Sequence, residues 1–384
     1  MNTNDKILGQ TDYSVKKDSD GSEKENVGDI EEIPTEPFDP KRVDIQVNSS
    51  IMDSIIKRLK NDEIGLSPEF QRSQALWKKT TQARLIESLL INLPIPAFYF
   101  DATDDDCWQI VDGLQRLCTI KSFVIDKELK LTGLEFLKEY EEYTFDMLPR
   151  TLQRRIEEFP VTLYLIKPGT PVNMKYSLFH RINTGGLTLK PQEIRHAICQ
   201  SINGGQAAIF LKELSEESSF RKVVKISSDR MSNRELVLRH IAFRMEGEET
   251  YKSSMVKFLD TSMEKLGECG ESELQKYKRG FILAMLLAWE LFGEHAFKKS
   301  SVETERIKVV NKPLFEALSV PLAELTMSEG KRLTDNKKMF LKEFGELMLD
   351  DKFYKSISMS TANKDNVSHR FKIIKELIRK FCEE

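Results

Sequence analysis

In the first half of the chain, short runs of β-branched and aromatic residues alternate with amphipathic stretches. Residues 43–47 and 161–166 have the period of a strand, and 66–70 has the character of a short extended piece. Two further apolar runs, 97–100 and 108–111, flank an acidic turn, which predicts a hairpin. The first half therefore combines strands with helices.

The helical spacing in this half predicts helices over 51–59, 80–91 and 117–125. Asn48 or Ser49 is the expected cap of the first, and Thr80 or Thr81 the expected cap of the second. The same patterns predict a short strand at 129–131, a mainly helical stretch over 134–158, and helices over 172–181 and from about Pro191.

From about residue 200 onward, nearly every apolar pattern is helical and no run is convincing as a strand. Predicted helices include 206–214, 232–245, 251–266, 274–292, 312–327 and 335–348. The last helix places four apolar side chains on one face: Phe371, Ile374, Ile378 and Phe381. The predicted fold class is α+β, with an N-terminal α+β domain over 41–200 and an all-helical domain over 201–384.

Charge separates the N-terminus from the rest of the chain. Residues 1–40 carry eleven acidic and four basic side chains, whereas the whole chain has a net charge of −3. This composition predicts a disordered acidic tail, either solubilising or able to screen a basic groove. The chain lacks the overall basic signature of a nucleic-acid binder, so local basic patches matter more than the total.

The cysteine content and the lengths of the apolar runs indicate the compartment in which the protein is expected. Five cysteines without CxxC spacing indicate a reducing compartment and no disulfide framework. The longest apolar run, 281–289, is too short to span a bilayer, and no signal peptide is evident. A cytoplasmic protein without a membrane partner is expected.

The first candidate for chemistry is the segment 110–116, in which a strand runs into Asp112-Gly113 and a helix follows. Gly113 allows close backbone approach to a ligand, and a helix N-terminus offers N–H groups to an anion. Gln115 adds a polar group, and Arg116 a planar cation suited to phosphate. The alternative is a plain corner in which Asp112 caps the helix and Arg116 is solvated.

The second candidate is the polar, basic segment 71–84. Cations around an aromatic ring suit phosphate contact and stacking. The residues concerned are Gln71, Arg72, Lys78, Lys79 and Arg84 around Trp77. The alternative is a solvated helix start with Trp77 buried in the core.

The third candidate is the loop after the predicted helix 172–181, with Arg181, Asn183, Gly185 and Gly186. Paired glycines can wrap an anion, but they also simply end helices. Glu193 on the next helix has two possible roles, as a metal ligand or as a carboxylate favoured at a helix start.

Several chemistries are excluded by their missing motifs. The sequence has no GxxxxGK[ST] phosphate loop, no HExxH and no Cys/His zinc spacing.

Taken together, these segments resemble the GmrSD N-terminal domain family, whose hallmark is Asp-Gly-Gln-Gln-Arg. The resemblance covers roughly residues 45–200. It is carried by Glu69-Phe70-Gln71-Arg72, Leu85–Leu90 with Pro94-Ile95-Pro96, Ile110–Arg116, and Phe179–Gly186 with Gln192-Glu193-Ile194-Arg195. It implies a ParB/sulfiredoxin-like fold in which the strand–turn–helix motif meets the phosphates of a nucleotide. It also implies a link to restriction and antiviral defence against foreign DNA.

The chain departs from the family pattern in two ways. Leu114 stands where the family usually has Gln, and the C-terminal half lacks a His-rich nuclease signature. We therefore expect a stand-alone member that binds and hydrolyses a nucleoside triphosphate to control action on DNA. The alternatives are a magnesium-dependent DNA endonuclease or nickase, and a non-catalytic module that binds DNA or a partner.

The main hypothesis, which combines the residue chemistry with the resemblance, gives each candidate residue a role. Asp112, Gln115 and Arg116 would be catalytic, with Mg²⁺ at Asp112 and Glu193. Phosphate-binding roles fall to Gln71, Arg72, Gly113, Arg181, Asn183, Gly185 and Gly186. DNA-binding roles fall to Lys78, Lys79 and Arg84. Nucleotide and DNA are the expected ligands, and the helical domain is the expected surface for self-association or a partner protein.

Overall fold

A five-stranded mixed sheet occupies the first half of the chain. The computed structural model describes residues 18, 22–26, 44–66, 77–171, 174–176, 178, 190–200, 205–226, 228, 231–299 and 309–382. The strands are β1 (Ile45–Ile51), β2 (Ile64–Gly65), β3 (Phe98–Asp101), β4 (Trp108–Asp112) and β5 (Pro160–Ile166). Their spatial order is β1–β5–β3–β4–β2. The β3–β4 and β1–β5 pairs are antiparallel, whereas β5–β3 and β2–β4 are parallel. The predicted hairpin and the strand at 161–166 are confirmed.

Alternation along the strands gives the sheet two apolar faces. Phe98, Phe100 and Ile110 point into the main core of the first half. Val111 points the other way, into a smaller cluster that includes Ile194. Because successive side chains of a strand face opposite sides, one strand serves both clusters.

The helices with described bounds in this half are α1 (Met52–Lys60), α2 (Lys79–Leu90), α3 (Leu114–Ile120) and α4 (Arg150–Glu157). A π-helical turn over Lys121–Ile125 extends α3. The predicted caps of the first two helices are wrong. The N-cap of α1 is Ile51, because β1 runs directly into the helix, and the N-cap of α2 is Lys78.

The stretch before β5 also differs from its prediction. No strand forms at 129–131, and 134–158 contains two short 3₁₀ turns, Lys138–Tyr140 and Phe145–Met147, before α4 begins. A tertiary contact explains part of this difference. The Glu87 carboxylate of α2 accepts hydrogen bonds from the backbone N–H groups of Glu135, Phe136 and Leu137, at 3.0, 2.7 and 2.8 Å. The segment is thus held by a distant side chain instead of its own helix.

The remaining described elements are helices, as predicted. They are α5 (Pro191–Gln200), α6 (Gln206–Glu216), α7 (Ser218–Val223), α8 (Ser232–Glu246), α9 (Met255–Glu268), α10 (Glu271–Phe292), α11 (Lys312–Leu322), α12 (Met327–Asp335), α13 (Lys337–Leu347), α14 (Asp351–Ser356) and α15 (Lys364–Cys382). Their buried residues form one large core, to which Phe371, Ile374, Ile378 and Phe381 of α15 contribute as predicted. The α+β class is therefore confirmed. Among the described residues, no helix is both long and apolar enough to cross a membrane.

The acidic N-terminal segment makes a contact that the tail prediction did not anticipate. Within residues 22–26, the N–H of Glu23 donates to the carbonyl of Val310 at 2.9 Å. The carbonyl of Asn26 accepts from the N–H of Thr361 at 3.0 Å. This short piece is therefore bonded to the helical half.

Candidate functional site

The turn between β4 and α3 requires glycine for two separate reasons. Gly113 has φ +103° and ψ 9°, a left-handed conformation that disfavours a side chain. A Cβ at this position would lie 2.5 Å from Cδ1 of Phe98 and 3.1 Å from Nη2 of Arg116. The helix begins at once with Leu114, and its N-cap is Gly113 instead of Asp112.

Asp112 and Arg116 form an ion pair across this turn. Nη2 of Arg116 donates to Oδ2 of Asp112 at 2.8 Å and to the carbonyl oxygen of Ala97 at 3.1 Å. Nη1 donates to the carbonyl of Pro96, and the guanidinium lies over the ring of Phe98 at 4.6 Å. Burial lowers the pKa of Arg116, while the charge of Asp112 opposes that shift. The guanidinium thus fastens the turn to the loop before β3.

The two members of this pair differ in accessibility. The side chain of Arg116 is 9% exposed, whereas that of Asp112 is 34% exposed. The carboxylate of Asp112 is therefore accessible to a ligand, while the buried guanidinium of Arg116 fixes the position of that carboxylate. The solvated arginine of the alternative interpretation is wrong, because the guanidinium is buried and paired.

The other residues of the motif divide between core and surface. Leu114 is partly buried and packs against the main core of the first half. Gln115 is partly exposed. Within the described part of the chain, no side chain caps the start of α3. The first N–H groups of a helix have no partner inside it, so this end offers hydrogen-bond donors beside Asp112.

Tyr99 adds a group that the motifs did not point to. It pairs with Asp112 in the β3–β4 register and stacks on Tyr164, with ring centroids 4.6 Å apart. Burial, together with the nearby Tyr164 and Asp112, raises the pKa of Tyr99. Strand alternation in the sequence could have indicated this residue, because it places the side chain of Tyr99 on the opposite face of the sheet from the core-facing Phe98 and Phe100.

Helix α5 lies against β4 through Ile194, and its polar residues are buried. Oε2 of Glu193 accepts from the N–H of Lys190 at 2.6 Å, the contact expected of a carboxylate at a helix start. Arg195 donates from Nε to Asp260 of α9 at 2.7 Å. This helix therefore connects the sheet to the helical half.

The described residues offer little for an all-protein metal site, since none of them form a group of three His, Cys, Asp or Glu side chains. Mg²⁺ commonly uses one or two carboxylates together with substrate phosphates and waters. The half-exposed Asp112 fits that arrangement, as one protein ligand of an ion carried by phosphate. Glu193 is less suited, because it is 1% exposed and bonded to Lys190.

The candidate DNA-binding residues lie at the start of α2. Lys78 and Lys79 are exposed. Arg84 instead pairs with Glu135 at 2.9 Å and donates from Nε to the carbonyl of Gly133 at 3.5 Å. Only the two lysines present their charge without such a local partner among the described contacts.

Six predicted phosphate-binding residues lie outside the described residues: Gln71, Arg72, Arg181, Asn183, Gly185 and Gly186. Their placement relative to Asp112 stays a prediction.

The fold and the turn define an α+β domain whose candidate site is a strand–glycine–helix corner. Residues 55–200 match the family model described as GmrSD restriction endonuclease, N-terminal domain, so this segment is similar to that family. The resemblance predicted from the motifs is thereby confirmed. Comparison with curated proteins and with solved structures gave no match.

Proposed function

We propose that the corner at Asp112 and Gly113 binds the phosphates of a nucleoside triphosphate, and that its hydrolysis controls an action on DNA in defence against foreign DNA. The observation that carries this proposal is the geometry of the corner. Gly113 makes a left-handed turn that packs against Phe98, α3 starts without a side-chain cap among the described residues, and the partly exposed carboxylate of Asp112 precedes that helix start. A helix N-terminus next to a glycine turn favours an anion.

Each residue of the corner has a distinct role in this proposal. Asp112 orients the attacking water or meets an ion carried by the phosphates, and Gln115 contacts a phosphate oxygen or that water. Arg116 is a positioning residue, because its guanidinium is already bonded to Asp112 and to the loop before β3. This revises the role of Arg116 from a direct phosphate clamp to the support that aims Asp112.

Hydrolysis needs little covalent chemistry from the protein. The oxygen of water bonds to the terminal phosphorus while the bond to the bridging oxygen breaks, giving a nucleoside diphosphate and phosphate. Positioning and charge stabilisation supply most of the catalysis of such transfers. Mg²⁺ would neutralise phosphate charge when bound, and Asp112 is the described side chain suited to meet it.

The proposed action on DNA is supported by the family model that residues 55–200 match, because its description names a restriction endonuclease. The exposed Lys78 and Lys79 at the start of α2 would contact backbone phosphates. The ParB/sulfiredoxin-like fold implied by the resemblance is part of the same proposal.

A second candidate is a module that binds nucleotide or DNA without catalysis. It is favoured by Leu114, whose apolar side chain packs against the core where the family usually has Gln. In that case the corner would bind phosphate but leave it intact.

The test compares Asp112→Ala and Arg116→Ala for nucleotide binding and for phosphate release. Loss of turnover with retained binding in Asp112→Ala supports hydrolysis at this corner, whereas unchanged binding and turnover in both variants overturns the assignment. Asp126→Ala is a matched control. Its carboxylate is paired with Lys121 at 2.7 Å and is 33% exposed, close to the 34% of Asp112, but it lies after the π-helical turn.

A further inference from the structure

A buried group of charges joins several elements of the helical half. Its cations are Arg239 of α8, Lys299, Lys312 of α11 and Arg370 of α15, with side chains 5%, 2%, 9% and 0% exposed. Among the described residues, the helices supply two carboxylates to this group, Glu235 and Glu316. Glu316 bridges two of the cations, accepting from Arg239 at 2.6 Å and from Arg370 at 2.7 Å.

Residues 22–26, here called the acidic strap, supply the other two carboxylates. Glu25 accepts from Nη1 and Nη2 of Arg239 at 3.1 and 2.7 Å, a two-pronged contact. Glu23 accepts from Lys299 at 2.6 Å and from the side-chain amide of Asn311 at 3.1 Å. The acidic strap therefore balances the charge of the group among the described residues.

Without the acidic strap, Arg239 would lose the carboxylate of Glu25, and Lys299 would lose that of Glu23. An uncompensated buried charge is strongly unfavourable, so the site would then need an anion from elsewhere. The fork of an arginine binds a phosphate in the same two-pronged manner as a carboxylate. The site is thus suited to phosphate groups as well as to Glu23 and Glu25.

The attachment of the acidic strap is entirely polar. Its sequence, Ser-Glu-Lys-Glu-Asn, has no apolar side chain, and Lys24 and Asn26 are exposed. Because the described contacts of the strap are polar, we expect its release to leave the large apolar core of the helices intact. Ion pairs are also the contacts that a competing polyanion displaces.

The acidic strap and its group also lie near the helix that carries the family motif. Asp18, just before the strap, pairs with Lys190 at the start of α5 at 3.7 Å. Although burial alone would raise the pKa of Glu235, the positive charges of Lys312, Arg239 and Arg195 lower it, which places Arg195 of α5 within electrostatic reach. The group thus lies close to the helix that packs against β4.

We propose that the acidic strap is a displaceable internal ligand that occupies a phosphate-binding site of the helical half, and that backbone phosphates of DNA displace it. The site is separate from the corner at Asp112. The choice of DNA as the competing anion rests on the proposed function, but the contacts of the strap do not.

The experiment uses the full chain with both strap carboxylates changed, Glu23→Gln with Glu25→Gln. The matched control is Glu31→Gln with Glu32→Gln, which makes the same charge change within the acidic N-terminal region. Binding of a short labelled duplex is measured over a series of salt concentrations. The strap variant should bind more tightly than the control, and its plot of log affinity against log salt should be steeper by about 2, for two added phosphate contacts. Equal affinity and slope in the two variants would overturn the proposal.

A measurement on the wild-type chain covers the case in which the strap variant does not fold. Hydrogen exchange at the N–H of Glu23, which is bonded to Val310, should accelerate when duplex is added. Unchanged exchange with duplex would overturn the proposal, as would acceleration by ATP with magnesium but not by duplex. The same exchange measured in Asp112→Ala separates the two sites. It should still respond to duplex even if the corner proves to have no role in nucleotide binding.

Discussion

Two ion-paired arginines show how differently the two halves of the molecule use charge. Arg116 holds a single carboxylate that is 34% exposed, at the edge of a turn. Arg239 binds three carboxylates, among them Glu316, which is 0% exposed. The carboxylate of Asp112 is accessible to a ligand, whereas that of Glu316 is enclosed by the fold. In our proposals the turn can meet a ligand directly, whereas the buried group of the helical half meets one only after the acidic strap is displaced.

The largest effect should come from breaking the buried group. Glu316→Gln would leave Arg239 and Arg370 short of a carboxylate, and removal of one partner from a buried ion pair costs roughly 3–5 kcal/mol. Urea unfolding at neutral pH measures this change. A loss below about 1 kcal/mol would show that the group does not contribute to stability in this way.

The next effect concerns the backbone of the turn. Gly113→Ala adds a left-handed alanine and a contact with Phe98, for a total of roughly 2–4 kcal/mol. Gly169→Ala is the matched control, since Gly169 has φ +94° but nothing within 4 Å of an added Cβ. The control should lose only the stability that a left-handed alanine costs, without the cost of the contact with Phe98. Equal losses in the two variants would remove the argument for close packing at the turn.

A pH effect should distinguish the helical core from the turn. Burial, assisted by the nearby charge of Arg244, lowers the pKa of His240 to about 3. The unfolded chain takes up this proton near pH 6.5 while the folded chain does not. Stability contributed by the neutral ring is therefore complete above about pH 6.5 and is lost as the pH falls toward 3.

The size of this stability loss follows from the single proton that His240 binds in the unfolded chain. Between pH 6 and pH 4.5 the loss should be roughly 2 kcal/mol greater in the wild type than in His240→Leu. Denaturant unfolding at the two pH values measures the difference. Identical pH dependence in the two proteins would contradict a buried neutral His240. The variant will be less stable at every pH because Ser319 loses its hydrogen bond to the ring, but this loss does not affect the comparison of the two slopes.

The smallest effect on stability is expected at Leu114. Leu114→Gln removes a partly buried apolar contact, which costs about 1 kcal/mol, and restores the glutamine usual in the family. If the missing amide limits hydrolysis, phosphate release should rise in this variant. Leu114→Met keeps the apolar contact and should leave the rate unchanged. A fall in turnover with Gln would show that Leu114 itself supports the site.

The elements that followed from the sequence are those specified by local pattern. The β3–β4 hairpin and the buried face of α15 were predicted because strand or helix spacing alone determines which side chains are buried. The resemblance was predicted from four linked motifs, and the match over residues 55–200 confirms it.

The contacts that were missed depend on residues distant in the chain. Glu87 binds backbone groups 48 to 50 residues away, and Arg239 pairs with Glu25, 214 residues before it. Arg116 is buried because its guanidinium reaches carbonyls 19 and 20 residues earlier, which the composition of the motif does not reveal. Such pairings require the tertiary fold.

Phosphate release tests most directly whether Asp112 acts at a nucleotide phosphate site, as we propose. Phosphate release is measured with each of the four ribonucleoside triphosphates and magnesium, with and without DNA, for the wild type, Asp112→Asn and Asp126→Asn. We predict release by the wild type and by Asp126→Asn with at least one nucleotide, and its loss in Asp112→Asn with nucleotide binding retained. Equal release by Asp112→Asn and the wild type, or no release from any nucleotide under either condition, would contradict the claim.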